Sequence, residues 1–365
     1  MTIHSSWLRN TNMNPDSIQT IVFDWGDTLM RVFPESQGPM ALWTKVEAMP
    51  NALEMLSTLN SQFKLVLASN AQESSAEDIR TALNRVNLGQ FISEIYTYHE
   101  LGARKPEQAF FRVLEQKLNT PAHQLIMIGD DYRKDILPAW NAGWLTMWYN
   151  PLNQLAEAHL PVQHYECADL GEIPNLLQNQ PLPSLQTCLA WYMQERVTHT
   201  LLAHVQTVSA AAYQMAVWLK EYEPNVSPLL AHRGGYLHDL AKLIETKETN
   251  HAKLAENLLM EYRQPILAKI AGRHLMGDLK SSDNRPTTWE EKIVHYADKL
   301  AEGSELVSLS ERLTALKGRY PQFLDIIDGN RRLIEALEIE IATALHHSPQ
   351  ELLADLKTAL YNGNS

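Results

Sequence analysis

The pattern of apolar residues changes once along this chain, and the change separates two kinds of fold. Before Leu177, short apolar runs alternate with helical stretches, whereas only helical periodicity follows it. Apolar runs without polar alternation are typical of parallel strands, because helices cover both faces of such a sheet. The runs that we predict to be strands are Ile18–Phe23, Lys64–Ala68, Glu94–Tyr98, Leu125–Ile128 and Leu145–Tyr149.

Between these runs, Met49–Leu59, Ala76–Val86 and Glu107–Leu118 carry apolar residues at helical spacing. Strand and helix in alternation predict a doubly wound α/β domain over residues 1–177, which binds ligands at the carboxyl ends of its strands. The polar, proline-containing residues 178–185 are predicted to be a linker.

Residues 186–365 are predicted to form an all-α domain. Its expected helices are Arg196–Tyr222, Ala252–Tyr262, Gln264–Arg273, Thr288–Ser310 and Asn330–His346. A chain of 365 residues is long enough for two domains, each with its own core.

The composition excludes several classes of protein. A net charge of −12 argues against a nucleic-acid or membrane-surface binder, because both surfaces are anionic. Two isolated cysteines, Cys167 and Cys188, indicate a reducing compartment. The first residues lack the basic start and apolar core of a signal peptide, and no uncharged apolar stretch approaches the roughly 18 residues of a spanning helix. We therefore expect a cytoplasmic protein.

Polar side chains follow several predicted strands, where an open α/β sheet presents side chains to a ligand. They are Asp24 after the first run, Ser69-Asn70 after the second, Lys105-Pro106 before a helix, and Gly129-Asp130-Asp131 with Asp135 after the fourth. This layout resembles the haloacid dehalogenase superfamily, with all four of its motifs in order over roughly residues 15–175.

The resemblance implies a phosphoryl-transfer site. Asp24 would be the nucleophile that takes the phosphoryl group as an aspartyl-phosphate. Ser69 would hydrogen-bond the transferring group, Asn70 would contact the substrate, and Lys105 would neutralise developing charge.

The same resemblance implies a magnesium site, since Mg²⁺ prefers carboxylate and other oxygen ligands. Asp24 and Asp130 would hold the ion, and Gly26 could add its backbone carbonyl. Asp135, or the adjacent Asp131, would orient this set of ligands.

Gly26 departs from the family pattern. Phosphatases of this superfamily usually have an aspartate there, which serves as general acid and base, a function typically worth about 10²–10⁴-fold in rate. Asp27, one position further on, could replace it only if the loop is reshaped. Neither residues 29–65 nor residues 70–105 contain room for a separate cap domain. An intact fold with weak or no phosphatase activity is therefore an open alternative.

A second set of histidines and carboxylates lies on predicted helices of the second half. His204 is followed by apolar residues at four-residue spacing, as on the buried face of a helix. His238-Asp239 lies in one apolar stretch, and Asp298 lies in another. A charge in such surroundings is costly unless it meets a cation. Two histidines and two carboxylates are a suitable ligand set for a divalent transition metal.

These residues resemble the HD-domain phosphohydrolases over about Arg196 to Leu306, with His238-Asp239 as the defining pair. The resemblance implies that His251 and His274 bind a second metal and that Asp239 bridges the two. It further implies Fe, Mn or another divalent transition ion as Lewis acid, with a metal-bound hydroxide attacking phosphorus. Lys242 and Arg273 are candidates to hold the substrate phosphate.

The sequence therefore predicts a two-domain metal-dependent phosphohydrolase that acts on nucleotides or other small phosphate esters or anhydrides. Neither a membrane nor a nucleic acid is expected as a partner. In one alternative, only the helical domain is catalytic, and the α/β domain is a phosphate-binding sensor or scaffold. In another, the chain is a non-catalytic interaction protein, which the many buried polar ligands argue against.

Overall fold

A computed structural model describes residues 18–246 and 248–362, which divide into two compact units. The first unit runs to Gln154 and resumes at Val162–Ser184, and the second comprises Leu155–Pro161 and the chain from Leu185 onward. The predicted linker thus lies largely in the first unit, where the Tyr165 hydroxyl donates to the Asn179 carbonyl at 3.0 Å.

Six parallel strands form the sheet of the first unit, in the order β3-β2-β1-β4-β5-β6. The strands are β1 (Thr20–Phe23), β2 (Lys64–Ala68), β3 (Glu94–Tyr96), β4 (Leu125–Gly129), β5 (Leu145–Tyr149) and β6 (Tyr165–Cys167). The helices are α1 (Ala52–Leu59), α2 (Ala76–Asn84), α3 (Tyr98–Leu101), α4 (Gln108–Leu118), α5 (Leu137–Asn141) and α6 (Ile173–Leu176). The predicted α/β doubly wound fold is confirmed, and β6 is the strand that the sequence did not predict.

Alternate residues of each central strand enter different hydrophobic cores. Ile21 and Phe23 of β1 pack into one core, which includes residues of α1 and α2, whereas Val22 packs into the other, which includes α4. Successive side chains of a strand point to opposite faces, so a sheet covered on both sides must be apolar at every position. This burial explains the continuous apolar runs.

The second unit is almost entirely helical, as predicted. Its helices are α7 (Leu185–Gln194), α8 (His199–Leu219), α9 (Pro228–Leu237), α10 (His251–Glu261), α11 (Pro265–Gly272), α12 (Trp289–Leu300), α13 (Leu309–Arg319), α14 (Leu324–Ala344) and α15 (Pro349–Lys357). Helices α9 and α12 both pack against α8. These three helices form the centre of the unit.

The helix predicted over Thr288–Ser310 is wrong, because the structure has two helices there. Helix α12 ends at Leu300, and a short hairpin of β7 (Ala301–Glu302) and β8 (Glu305–Leu306) leads to α13. Gly303 turns this hairpin at a φ of +63°, which glycine adopts without a steric penalty.

The sequence placed His238-Asp239 on a helix without giving its bounds, and in the structure the pair directly follows α9, which ends at Leu237 and contains Gly234-Gly235. Glycine lowers helix propensity by about 1 kcal/mol relative to alanine. A Cβ atom at Gly235 would lie 2.8 Å from Cα of Ser209 on α8, closer than packed atoms tolerate. The glycine therefore permits the close approach of α9 to α8, which a local propensity argument cannot detect.

Residues 155–161 pack in the second unit, although the residues on either side of them belong to the first. The amide of Ala156 donates to the Tyr213 hydroxyl at 3.0 Å, and Arg233 Nη2 donates to the Pro161 carbonyl at 2.7 Å. Within residues 18–246 and 248–362, none of the helices has the length and apolar character needed to cross a membrane.

Candidate active sites

The charged side chains predicted for the first unit lie together where its central strands end. Asp24 follows β1 and Asp130 follows β4, and their carboxylate oxygens lie within 4.8 Å of one another and of one from Asp135. Lys105 Nζ is paired with Asp24 Oδ1 and lies 2.6 Å from Asp135 Oδ1. The Lys105 side chain is only 2% exposed, so these carboxylates balance its charge inside the protein.

This carboxylate group suits a divalent cation. Burial, aided by the charge of Asp24, raises the pKa of Asp130 to about 6. Burial also raises the pKa of Asp135 to about 7, although Lys105 opposes the shift. A cation among these hard oxygen donors would favour their ionised forms. The donor set therefore fits Mg²⁺.

Thr28 is a member of this site that the sequence reasoning missed. Its hydroxyl donates to Asp130 Oδ1 at 2.8 Å and accepts from the Asp130 amide at 3.1 Å. The two bonds orient the Asp130 carboxylate. The available signal was its place at the end of the Asp-Trp-Gly-Asp-Thr motif.

Some polar groups near the site are engaged elsewhere. Both ends of the Asn70 amide bond the Lys105 backbone, at 2.7 and 2.8 Å, so Asn70 positions Lys105. Asp131 accepts from the amides of Arg133 and Lys134 and caps the turn that follows β4. Ser69 Oγ accepts from the Ala71 amide at 3.2 Å, and Ser69 also lines the cavity over the site.

That cavity has a volume of about 390 Å³. Gly26 and the candidate catalytic residues line it, together with the apolar side chains of Val32, Met40 and Trp43. Asp27 also lines the cavity, but its Oδ1 accepts from the Val32 amide at 3.0 Å. The Asp27 carboxylate thus stabilises the loop, in which the Asp27 backbone has a φ of 54°.

Asp239 lies at the centre of the candidate site in the second unit. Its Oδ1 is 3.1 Å from His251 Nε2 and 3.3 Å from His274 Nε2. Its Oδ2 is 3.6 Å from His238 Nε2 and 3.9 Å from His204 Nε2. The two oxygens of one carboxylate thus face two different pairs of imidazole nitrogens.

Asp298 completes the group on the side of His204. Its Oδ1 lies 3.1 Å from His204 Nε2 and 3.7 Å from His238 Nε2. Its Oδ2 pairs with Lys299, whose ammonium also donates to the His274 carbonyl at 3.0 Å. Lys299, which we did not single out from the sequence, therefore orients Asp298 with one oxygen toward the histidines.

The histidines present Nε2 to this group because Nδ1 is bound elsewhere. Nδ1 of His238 bonds the Gly235 carbonyl at 2.7 Å, and Nδ1 of His274 bonds the Ala271 carbonyl at 2.6 Å. A carbonyl only accepts, so these partners assign the proton to Nδ1 and leave a lone pair on Nε2. His251 Nδ1 is similarly 2.8 Å from Glu245 Oε2. Ligating histidines are oriented in this way.

The buried polar atoms of the group fit metal ions. Among the described residues, His238 Nε2 and Asp239 Oδ1 are buried without a hydrogen-bond partner. Burial lowers the pKa of His274 to about 4, which keeps it neutral. Burial alone would raise the pKa of Asp298, but Lys299 and His204 bring it well below its usual value. Neutral imidazoles and ionised carboxylates are the forms that bind transition metals.

The two cations predicted to bind phosphate have different surroundings. Lys242 Nζ lies 3.1 Å from His251 Nε2 and 3.6 Å from Asp239 Oδ1. Arg273 is not brought into this group through its guanidinium, which donates instead to both carboxylate oxygens of Glu291 at 2.8 and 2.9 Å.

Comparisons with known proteins identify both units. Residues 26–143 match the family of haloacid dehalogenase-like hydrolases, and residues 201–303 match the HD domain. An uncharacterised protein of Methanocaldococcus jannaschii is 29% identical over 133 residues, which cover 33% of this chain and 78% of that protein. A glyceraldehyde 3-phosphate phosphatase of Pyrococcus furiosus is 29% identical over 94 residues, which cover 26% of this chain and 39% of that protein.

Among solved structures, an uncharacterised protein from Listeria monocytogenes serotype 4b is 26% identical, with a TM-score of 0.40. The match covers 44% of this chain and 97% of that one. The two family matches carry the assignment, since they fall on the two units and include the residues described above except Asp24, which lies two positions before the first match begins. The chain therefore combines a haloacid dehalogenase-like hydrolase domain with an HD domain and is a metal-dependent phosphohydrolase.

Proposed function

We propose that the chain hydrolyses phosphate esters or anhydrides of small molecules, nucleotides among them, at two separate sites. The observation that carries the proposal is the arrangement around Asp239, whose two oxygens each face a pair of histidine nitrogens. A bridging carboxylate between two imidazole pairs suits a site that binds two divalent ions.

In the HD domain, His204, His238, Asp239 and Asp298 would hold the first ion, and His251 and His274 would join Asp239 in holding the second. An Fe, Mn or other divalent transition ion would supply Lewis-acid activation of water and of the phosphoryl group. Lys242, with a side chain 36% exposed, supplies a positive charge that an anionic substrate can reach.

In the first domain, Asp24 would attack phosphorus, forming its bond to the phosphoryl group as the bond to the leaving oxygen breaks. Water would then release phosphate from the aspartyl-phosphate. Lys105 would stabilise negative charge in both steps, and Ser69 would orient the phosphoryl group. Mg²⁺ held by Asp24, Asp130 and the Gly26 carbonyl would neutralise charge on the phosphoryl oxygens, and Asp135 would orient its ligands.

A second candidate function is that only the HD domain is catalytic and the first domain senses or binds phosphate. Gly26 favours it, because the residue cannot protonate a leaving group. Asp27 favours it as well, since its carboxylate is bound to the Val32 amide.

The substrate class is supported by the cavity of the first domain, whose volume of about 390 Å³ has room for a small phosphate ester. The Pyrococcus relative is named for activity on a small phosphate monoester. Cys167 and Cys188 are both buried and reduced, which supports work in a reducing compartment such as the cytoplasm.

Two full-length variants test the proposal. Asp239→Ala should lose transition metal and the activity that depends on it, whereas Asp24→Asn should lose only Mg²⁺-dependent phosphatase activity. Asp325→Ala, which removes an exposed carboxylate of α14, is the control and should match the parent. Metal is measured by elemental analysis, and activity with nucleotide and nitrophenyl phosphates. Retention of metal and activity in Asp239→Ala would refute the assignment of the HD site.

A further inference from the structure

Arg312 of α13 is a buried arginine beside the metal-ligating group of the HD domain. Its side chain is 9% exposed, and its Nη2 lies 3.8 Å from Asp298 Oδ1. The same carboxylate oxygen lies 3.1 Å from His204 Nε2. The guanidinium therefore borders the position proposed for the first metal ion.

The Arg312 guanidinium has donors that the protein does not use. Nη1 donates to Glu302 Oε2 at 2.5 Å. Nε has no hydrogen-bond partner within residues 18–246 and 248–362, and 3.8 Å is too long for a hydrogen bond from Nη2 to Asp298. Nε and Nη2 form one edge of the guanidinium, which can bind two oxygens of a phosphate at once. Buried donors are normally paired, so this edge is suited to a ligand.

Two other cations near the site are more fully engaged, and a third lies elsewhere in the group. Arg273 is bound to Glu291 through both carboxylate oxygens. Lys299 is bound to Asp298 and to the His274 carbonyl. Lys242 lies beside His251 and Asp239, on the other side of the metal-ligating group from the Asp298–His204 pair.

We propose that Arg312 binds phosphoryl oxygens of the substrate next to Asp298, and so forms a phosphate-binding subsite of the HD domain. The inference rests on the proposed function of that domain. Glu302 fixes the guanidinium through Nη1, so the Nε–Nη2 edge is oriented before the anion arrives. The ligand class is a phosphate group, either in an ester or anhydride or as the inorganic phosphate product.

Arg319 is a matched control. It lies on the same helix and donates to the same Glu302 oxygen as Arg312, at 2.5 Å. Its side chain is 47% exposed, and the structure records no ion pair between it and Asp298 among the described residues. Arg319→Ala therefore removes an arginine from the Glu302 pair without removing the proposed phosphate contact.

The test titrates inorganic phosphate calorimetrically into five full-length proteins loaded with Mn²⁺: the parent, Asp239→Ala, Arg312→Ala, Arg312→Lys and Arg319→Ala. Binding that is present in the parent and lost in Asp239→Ala belongs to the HD site. Arg312→Ala should weaken that component by roughly tenfold to a hundredfold, the size expected for charge-assisted hydrogen bonds. Arg312→Lys should be intermediate, because it keeps the charge without the two-donor edge. Arg319→Ala should match the parent.

Metal content and thermal unfolding of the same samples separate this role from others. We expect Arg312→Ala and Arg312→Lys to retain Mn²⁺ and to unfold near the parent's temperature. Loss of Mn²⁺ from the folded Arg312→Lys protein would overturn the proposal, because Arg312 would then be a positioning residue for Asp298. Unchanged phosphate affinity in folded Arg312→Lys and Arg312→Ala would overturn it too. Equal phosphate binding by the parent and Asp239→Ala would instead refute the proposed function of the HD site.

Discussion

Individual residues decide what each acidic group can do, and Gly26 is the clearest case. The proposed attack and charge stabilisation use Asp24, Lys105 and Asp130, which lie together. Protonation of the leaving oxygen needs an acid, which Gly26 cannot provide, and Oδ1 of the neighbouring Asp27 already accepts from the Val32 amide. The first domain should therefore prefer leaving groups that depart without a proton.

The first domain should hydrolyse p-nitrophenyl phosphate much faster than an alkyl phosphate such as glycerol 2-phosphate, because nitrophenolate is a stable anion. The measurement uses the full-length Asp239→Ala variant with Mg²⁺, so that the HD site does not contribute. Equal rates would mean that another acid, Asp27 first among them, protonates the alkyl leaving group. Turnover of neither ester would favour the phosphate-sensing function.

Restoring the acid extends this test. A Cβ at Gly26 would lie 2.9 Å from Val32 Cγ2, so we combine Gly26→Asp with Val32→Ala to make room. The double variant should accelerate the alkyl ester, within the roughly 10²–10⁴-fold range of general acid catalysis, and the nitrophenyl ester far less. Val32→Ala alone is the control.

Among the elements, the segment between β1 and α1 adds a surface that the sequence did not indicate. Residues 32–43 contribute Val32, Met40 and Trp43 to the cavity wall. The Trp43 indole N–H donates to the carbonyls of Gln37 and Gly38, at 3.2 and 3.0 Å, so the segment orders its own aromatic residue. This segment is short but still shapes the wall of the cavity.

Trp43→Ala should therefore raise KM for p-nitrophenyl phosphate by about fivefold, since an aromatic contact is worth about 1 kcal/mol. It should change KM for a small alkyl phosphate less. Leu42→Ala is the control, because Leu42 is 81% exposed and is not among the cavity-lining residues. Equal KM changes for both esters would show that Trp43 only supports the loop.

At the scale of the whole molecule, two candidate metal sites with different donor atoms occur on one chain. The first offers three carboxylates, and the second offers four imidazoles with two carboxylates. Oxygen donors suit Mg²⁺, and imidazole suits transition ions. Metal removal should therefore affect the two units by different amounts.

We expect His251→Ala to reduce transition metal in the HD domain from two ions to one, because the His204–His238–Asp298 side stays intact. His199→Ala, which removes an exposed histidine of α8, is the control. A chelator should lower the unfolding temperature of the parent more than that of His251→Ala, since a bound ion stabilises the folded state. Elemental analysis and calorimetry measure both effects. An unchanged metal content in His251→Ala would leave the domain with a single metal position.

Much of the fold could be predicted because it depends on local patterns. Buried parallel strands must be apolar at every position, and this pattern predicted five of the six strands in the sheet. Strand β6 is only three residues long and has Glu166 at its centre, so it lacked that pattern. The break between α12 and α13 was missed even though residues 302–305 contain no apolar side chain and include Gly303, which turns the hairpin.

The sequence by itself determined the two domain types and the order of their acidic and histidine motifs, since both follow from residue identity and spacing. The tertiary structure alone decided how each polar group is used. Arg273 and Glu291 are 18 residues apart, and Asn70 and Lys105 are 35 apart, yet each pair is hydrogen-bonded. Arg312 borders Asp298 because the hairpin reverses the chain between them. A buried polar group takes the partner that folding brings near, and spacing along the chain does not reveal that partner.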